Sequence, residues 1–287
     1  NKLLDEVDIV INSAAVVSFD APLNEALELN VMGAKRVAEF AVECRHAVLI
    51  HVSTAYVCGA ARGEISETLH HTATAEQSSE TFPERAFTDV EADLTRMRQI
   101  VEEVNESAED PKNRRRFAYD YVRRARKWKG RRRIQRRQEM DNLRKRWIAE
   151  RMAEAGMNWA RERGWNDTYT YTKALGEQFV SRCAASIPVA IVRPAVIESS
   201  LSEPSPGWLD GLRMADPLIV AIGKGRLRSL PLNPSVTLDL VPADMVVNAT
   251  LALVPTVQKK NDLRIIQVAT SSRNPITLGS LNELIYQ

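Results

Sequence analysis

The chain has 287 residues, 44% hydrophobic and 26% charged, the composition of a globular protein long enough to bury a full core. No stretch approaches the ~18–20 apolar residues of a membrane-spanning helix, and nothing near Asn1 has the pattern of a signal peptide. The net charge of +2 conceals a segregation: Lys112 to Trp147 holds 17 Lys or Arg against 3 acids, a net +14, so the remainder carries −12. Glycine is scarce, 12 residues where a usage of about 7% would supply roughly 20. Cys44, Cys58 and Cys183 are odd in number and form no C-x-x-C pair, which argues against a disulfide framework or zinc site and for a reducing compartment. His46, His51, His70 and His71 lack metal-type partners in the sequence and read as surface or packed histidines, so no metal is expected.

Three parts follow in chain order. Residues 1–59 alternate strand and helix. Val7 to Val17 is a largely apolar, β-branched run, expected as a strand buried on both faces. Over residues 22–43, Leu23, Ala26, Leu27, Val31, Ala34, Val37, Ala38 and Ala41 recur at helical spacing, with Pro22 suited to the first turn. Ala47 to Ser53 is the next strand, completing a parallel βαβ unit with a right-handed crossover. Because Asn1 opens almost directly onto the first apolar run, the chain is expected to start within a domain.

Residues 60–165 read as a helical, basic insertion. Thr72 to Ser79 is polar and loop-like, and Arg131 to Arg137 is expected as a mostly solvent-facing helix. Leu143, Trp147, Ile148, Met152, Ala155 and Trp159 form a helical apolar stripe, so that helix is expected to dock. Residues 166–287 return to α/β. They comprise a helix over Thr168 to Arg182, a strand over Ile187 to Pro194, loops around Glu203 to Trp208, a helix around 243–254 and a strand at Leu263 to Ala269. The fold class is therefore α/β, a Rossmann-like doubly wound parallel sheet, incomplete at its N-terminus, with a long helical insertion.

Chemistry concentrates in Tyr169-Thr-Tyr-Thr-Lys173. Positions i and i+4 share a helix face, and a lysine ammonium beside a tyrosine lowers a phenol pKa that starts near 10. Such a tyrosine can act as a general acid towards a carbonyl oxygen. Of the six tyrosines only Tyr169 has Lys four residues on. His51 to Gly59 ends a buried strand with the hydroxyls of Ser53 and Thr54 at its carboxyl edge, where open parallel sheets bind ligands. Asn12 to Ala15 ends the preceding strand with small residues, and Asn30 sits mid-helix against its propensity.

This order of elements resembles the extended short-chain dehydrogenase/reductase superfamily. It is most similar to the fatty acyl-CoA reductase (male-sterility) family and its thioester-reductase relatives, on Ile11 to Phe19, His51 to Val57, Trp165 to Glu177, Ile191 to Glu198 and the loop Glu203 to Leu209. The resemblance implies Tyr169 as proton donor and Lys173 as the group that lowers its pKa and binds the nicotinamide ribose. Thr54, five residues before Gly59, would stabilise the oxyanion, with Ser53 as the neighbouring alternative. It further implies Asn30 as support for the lysine through water, Ala14 and Ala15 along the adenosine side, and Pro194, Ala195, Val196 and Ile197 at the carboxamide. Glu198 and Trp208 would lie on the substrate side. The implied reaction is hydride transfer from NADPH to a fatty acyl-CoA thioester, giving aldehyde and free CoA and, with a second hydride, the alcohol.

The family's Gly-rich phosphate turn is not seen. The only G-x-G, Gly223-Lys-Gly225, has Arg228 where a third glycine would stand and reads as a loop. Weak or no NADPH binding by these residues alone is the expectation. The alternatives are a nucleotide-sugar epimerase or dehydratase of the same superfamily and a non-catalytic Rossmann-like binding fragment. The basic segment 112–147 is either a solvated face or an attractor for the phosphates of acyl-CoA or for an anionic membrane. No nucleic-acid module is visible. The expected location is cytoplasmic, with or without peripheral membrane contact.

Overall fold

The computed structural model describes residues 2–61, 65–69, 89–125, 133–211, 216–226 and 233–285. His70, His71, the loop Thr72 to Ser79, Trp128 and Arg131 and Arg132 lie outside them.

In order, the elements are α1 (Lys2–Glu6), β1 (Ile9–Asn12), α2 (Leu23–Ala26), a π-helical segment (Leu27–Gly33), α3 (Ala34–Glu43), β2 (Val48–Val52) and a 3₁₀ turn (Ala55–Cys58). Then come α4 (Val90–Glu109), α5 (Pro111–Ala125), α6 (Arg133–Glu162) and α7 (Thr168–Arg182). The remainder is β3 (Val189–Pro194), β4 (Val196–Glu198), α8 (Asp216–Gly223), β5 (Thr237–Leu238), β6 (Leu240–Pro242), α9 (Ala243–Leu253), β7 (Leu263–Val268), β8 (Ile276–Thr277) and α10 (Leu278–Ile285). Among the described residues no helix is long and apolar enough to cross a membrane. The chain divides into two compact units, one of Asn1–Ser13, Val37–Tyr56 and Val180–Gln287, the other of Ala14–Arg36 and Val57–Phe179.

The first unit holds a four-stranded, wholly parallel sheet in the order β1-β2-β3-β7, the Rossmann-like arrangement. β3 is buried at every position, as expected for Val-Ala-Ile-Val-Arg-Pro in the middle of a parallel sheet. Leu253, the last residue of α9, and Val257 shortly after it pack on Ile50, Ala190 and Val192. β1 differs from its expected extent. It ends at Asn12, and Ile9 and Ile11 are 48% and 45% exposed. The strand stops because backbone groups beyond it are taken elsewhere: Val16 N–H and C=O bond the Asn30 side chain rather than a neighbouring strand.

Gly223-Lys-Gly225 closes α8. Gly225 has φ +65°, its N–H bonds Ile222 O (2.7 Å), and Arg226 N–H bonds Ala221 O (2.9 Å). That is a helix C-terminus, which presents carbonyls, whereas a phosphate cradle needs the N–H groups of a helix N-terminus.

The second unit is helical. Its core joins Leu23, Leu27 and Val31 to Leu94 and Met97 of α4, Met152 and Trp159 of α6, and Tyr171, Ala174, Leu175 and Phe179 of α7. The apolar stripe of α6 therefore docks through Ile148, Met152 and Trp159, while Trp147 meets Phe117 of α5 edge-on at 5.8 Å. Among the described residues, charged side chains of α4, α5 and α6 pair with one another. Glu109 holds Arg114 and Arg144, Arg146 meets Glu150 at 3.0 Å, and Arg151 meets Glu154.

Candidate active site

In the second unit α7 carries the Tyr-x-x-x-Lys pair. Asp167 starts the helix by accepting from Thr170 N–H (2.8 Å), an N-cap whose burial raises its own pKa. Tyr169 is half-buried, and its ring meets Phe19 edge-on at 6.1 Å. Lys173, one turn on, is 2% exposed. Burial pulls its ammonium down to about 8, and Glu177, also buried, acts in the opposite direction. Lys173 thus remains mostly protonated at neutral pH, as a cation in a nearly dry setting.

Tyr171 stands two residues from each member of that pair and points elsewhere, because 200° of helix separates it from both. Its hydroxyl donates to Asp93 Oδ2 (3.1 Å) and accepts from Trp159 Nε1 (3.3 Å). Burial and the Asp93 carboxylate push the Tyr171 phenol far above its ordinary value. It is a neutral structural donor, which leaves Tyr169 as the tyrosine of α7 suited to proton transfer.

Asn30 lies in the π-helical segment and is 1% exposed. Its Oδ1 accepts from Val16 N–H (2.8 Å), while Nδ2 donates to Val16 O (3.1 Å) and Thr172 Oγ1 (3.0 Å). The side chain thereby ties the segment after β1 to α7 at the residue beside Lys173. Widening of the helix at Leu27–Gly33 accompanies a close approach, since a Cβ on Gly176 would run into Asn30 O. Ala14 is exposed and Ala15 half-buried, in the same unit.

Ser53, Thr54, Pro194, Ala195, Val196, Ile197, Glu198 and Trp208 belong to the first unit. Ser53 and Thr54 follow β2 directly and are buried, and Ser53 N–H continues the sheet to Val192 O (2.7 Å). Ser53 Oγ is buried without a hydrogen-bond partner among the described residues. Thr54 Oγ1 accepts from Tyr56 N–H (3.3 Å) and donates weakly to Pro194 O (3.4 Å), which joins the ends of β2 and β3. Ala195 is buried, Val196 and Glu198 are half-buried, and Ile197 and Trp208 are 41% and 46% exposed. The Glu203 to Trp208 loop is held at its start by Asp244, the second residue of α9, whose carboxylate accepts from the N–H groups of Leu201 (3.0 Å), Ser202 (2.8 Å) and Glu203 (3.2 Å). Those bonds hold the Asp244 pKa down at about 2.

Asp93, Tyr171, Gly176 and Asp244 are not legible as site-supporting residues from the sequence. An Asp just inside a helix start is the one local signal that could have found Asp244. Among the described residues no His, Cys, Asp and Glu cluster could hold a metal ion. His51, buried, places Nδ1 3.2 Å from Asn12 Nδ2.

Known proteins are similar to this chain. Fatty acyl-CoA reductase 2, chloroplastic, of Arabidopsis thaliana is 34% identical over 99% of this chain and 41% of its own length. The alcohol-forming fatty acyl-CoA reductase of Simmondsia chinensis is 31% identical over 98% of this chain and 50% of its own. The chain thus spans half or less of the length of these two curated relatives. Among solved structures, MoeE5 in complex with UDP-glucose and NAD superposes with a TM-score of 0.55 at 14% identity, over 99% of this chain and 63% of that one, which is a likeness of fold. A family model described as Male sterility protein matches residues 1–250. By that match, the chain belongs to the male sterility protein family.

Proposed function

We propose that the protein carrying this chain is an NADPH-dependent reductase of long-chain fatty acyl-CoA thioesters, yielding the fatty aldehyde, the fatty alcohol or both. The observation that carries this is the Tyr169–Lys173 pair on α7, with a half-buried phenol one turn from a buried ammonium. The relatives named as fatty acyl-CoA reductases supply the substrate class. The NAD bound in the structural neighbour is in keeping with a nicotinamide cofactor, and the phosphate of NADPH is the finer part of the proposal.

The residues present fit the nicotinamide end of such a cofactor, while its pyrophosphate lacks a Gly-rich turn in this sequence. Ser53 Oγ is a buried polar atom without a partner among the described residues, at the carboxyl end of a parallel strand. Pro194, Ala195, Val196 and Ile197 would hold the carboxamide, Lys173 the ribose hydroxyls, and Ala14 and Ala15 the adenosine side. When bound, the cofactor supplies the hydride.

The chain's own groups handle the oxygen. Thr54 donates a hydrogen bond to the thioester carbonyl oxygen, with Ser53 beside it. Tyr169 delivers its phenolic proton to that oxygen as negative charge develops there. Lys173, protonated, favours the phenolate left behind. Collapse of the tetrahedral hemithioacetal then expels CoA as the thiol. Glu198 and Trp208 take the substrate side, with Asp244 steadying the loop that carries Trp208.

In this proposal residues 60–165 form an insertion between the two sheet-forming parts, 1–59 and 166–287. Its basic stretch 112–147 attracts the phosphates of acyl-CoA or an anionic membrane surface, in a cytoplasmic protein. Salt titration of acyl-CoA binding, with and without charge reversal at Arg131, Arg132 and Arg133, tests that role. Unchanged affinity would refute it.

The function itself is tested by following NADPH consumption together with free-thiol release on adding a long-chain acyl-CoA. Stoichiometric CoA release supports the proposal, and its absence with every chain length would refute it.

A further inference from the structure

We infer that Asp93, supplied by the insertion, is a positioning residue for the Tyr169–Lys173 pair: through Tyr171 it sets the rotation of α7 about its own axis. The inference rests on the proposed roles of Tyr169 and Lys173 and adds a part for the insertion in that chemistry.

Four side chains form a closed ring within the second unit. Asp93 of α4, 6% exposed, accepts from Tyr171 OH (3.1 Å) and from Arg163 Nη2 (2.7 Å). Arg163, just past α6, lays its guanidinium over the Trp159 ring at 4.1 Å. Trp159 Nε1 returns to Tyr171 OH (3.3 Å). The Asp93 charge is thus compensated where it is buried, and both docking helices of the insertion contribute.

Leverage is what makes this more than a core contact. Tyr169 and Lys173 lie 40° apart on the helix, and Tyr171 lies 200° from each. A tether at Tyr171 therefore fixes the phase of the face that carries the pair. On a helix ~10–12 Å across, a rotation of about 20° carries a side-chain tip roughly 2 Å, and a displacement of about 1 Å can cost ~10²-fold in rate. Asn30 holds the next residue, Thr172, from another direction. The two tethers, at adjacent residues, act together against that rotation.

Tyr171→Phe tests this while keeping the ring that packs on Trp165 at 5.3 Å, and Asp93→Asn tests it from the other end. Both are read by steady-state reduction of a long-chain acyl-CoA and by amide hydrogen exchange. The expected result is kcat lower by about tenfold with KM for acyl-CoA within about twofold of the parent. Exchange at residues 169–173 is expected to be faster by about tenfold, with protection in the middle of α6 retained. Unchanged kcat, or exchange faster equally across α4, α6 and α7 with kcat tracking the folded fraction, would overturn the inference. If Asp93→Asn does not fold, Tyr171→Phe decides. If the parent reduces no acyl-CoA at all, the functional proposal fails, and the exchange arm alone decides the tether: local acceleration supports it and none overturns it.

Discussion

Helices α6 and α7 are neighbours in sequence and opposites in chemistry. Among its described side chains, the 30-residue α6 keeps most of its charge at the surface, in pairs such as Lys145–Asp141 and Arg146–Glu150 whose side chains are 48–70% exposed. The 15 residues of α7 bury Thr168, Thr170, Thr172, Lys173, Glu177, Gln178 and Ser181. Exposed ion pairs contribute little because water and salt screen them. Buried polar groups are costly and persist only where partners or a function hold them. The described ion pairs of the basic stretch, the most conspicuous feature of the sequence, therefore add little to stability. The inconspicuous Thr-rich helix carries the Tyr169–Lys173 pair to which the proposed chemistry is assigned.

The largest stability effect expected from this contrast is at Lys173. Its pKa is pulled from 10.5 to about 8 by burial, a cost of about 3 kcal/mol to the folded state. The folded pKa lies below the unfolded one, so this cost is full below about pH 8 and disappears as pH rises to 10.5. Lys173→Met should therefore raise the unfolding midpoint at pH 7 while abolishing reduction, and the gain should vanish near the unfolded lysine pKa of 10.5. A variant less stable than the parent at pH 7 would show that the buried ammonium is compensated by its surroundings.

Next comes Gly176→Ala. The added methyl meets Asn30 O head-on, and the two backbones must part, at about 1–3 kcal/mol in chemical denaturation. A neutral result would mean that α7 is not clasped against the Asn30 segment. Smaller still is Asp244→Ala, which removes the acceptor for three backbone N–H groups and should speed proteolysis within 201–211 without lowering the global midpoint. In the parent, whose Asp244 pKa is depressed to about 2, these bonds should persist through mild acid and be lost only as pH falls through that value. At the bottom of the scale, Arg146→Ala on α6 should change stability by no more than about 0.5 kcal/mol. A loss several times larger would erase the contrast between the two helices.

Much of this was legible in the chain. β2 and β3 follow from β-branched runs, because strands buried on both faces leave no room for polar alternation, and β7 from its β-branched residues Ile265, Ile266 and Val268. The Tyr169–Lys173 face follows from helix geometry alone. Asn30 betrayed itself by sitting mid-helix, and its partners explain why it is there. What could not be read is long-range. Asp93 and Tyr171 are 78 residues apart and Asn30 and Thr172 are 142 apart, and no local periodicity encodes such pairings. The extent of the first strand fails for the same reason. The apolar run continues past Asn12 to Val17, but the backbone of Val16 bonds the side chain of Asn30, 14 residues on, instead of a strand.

Tyr169→Phe asks whether Tyr169 acts on substrate while the groups around it hold it in place. NADPH oxidation with a saturating long-chain acyl-CoA, measured beside the thermal unfolding midpoint, separates chemistry from folding. The expected rate is lower by about 10²–10⁴-fold with an unchanged midpoint. Equal rates in Tyr169→Phe and the parent would contradict that role.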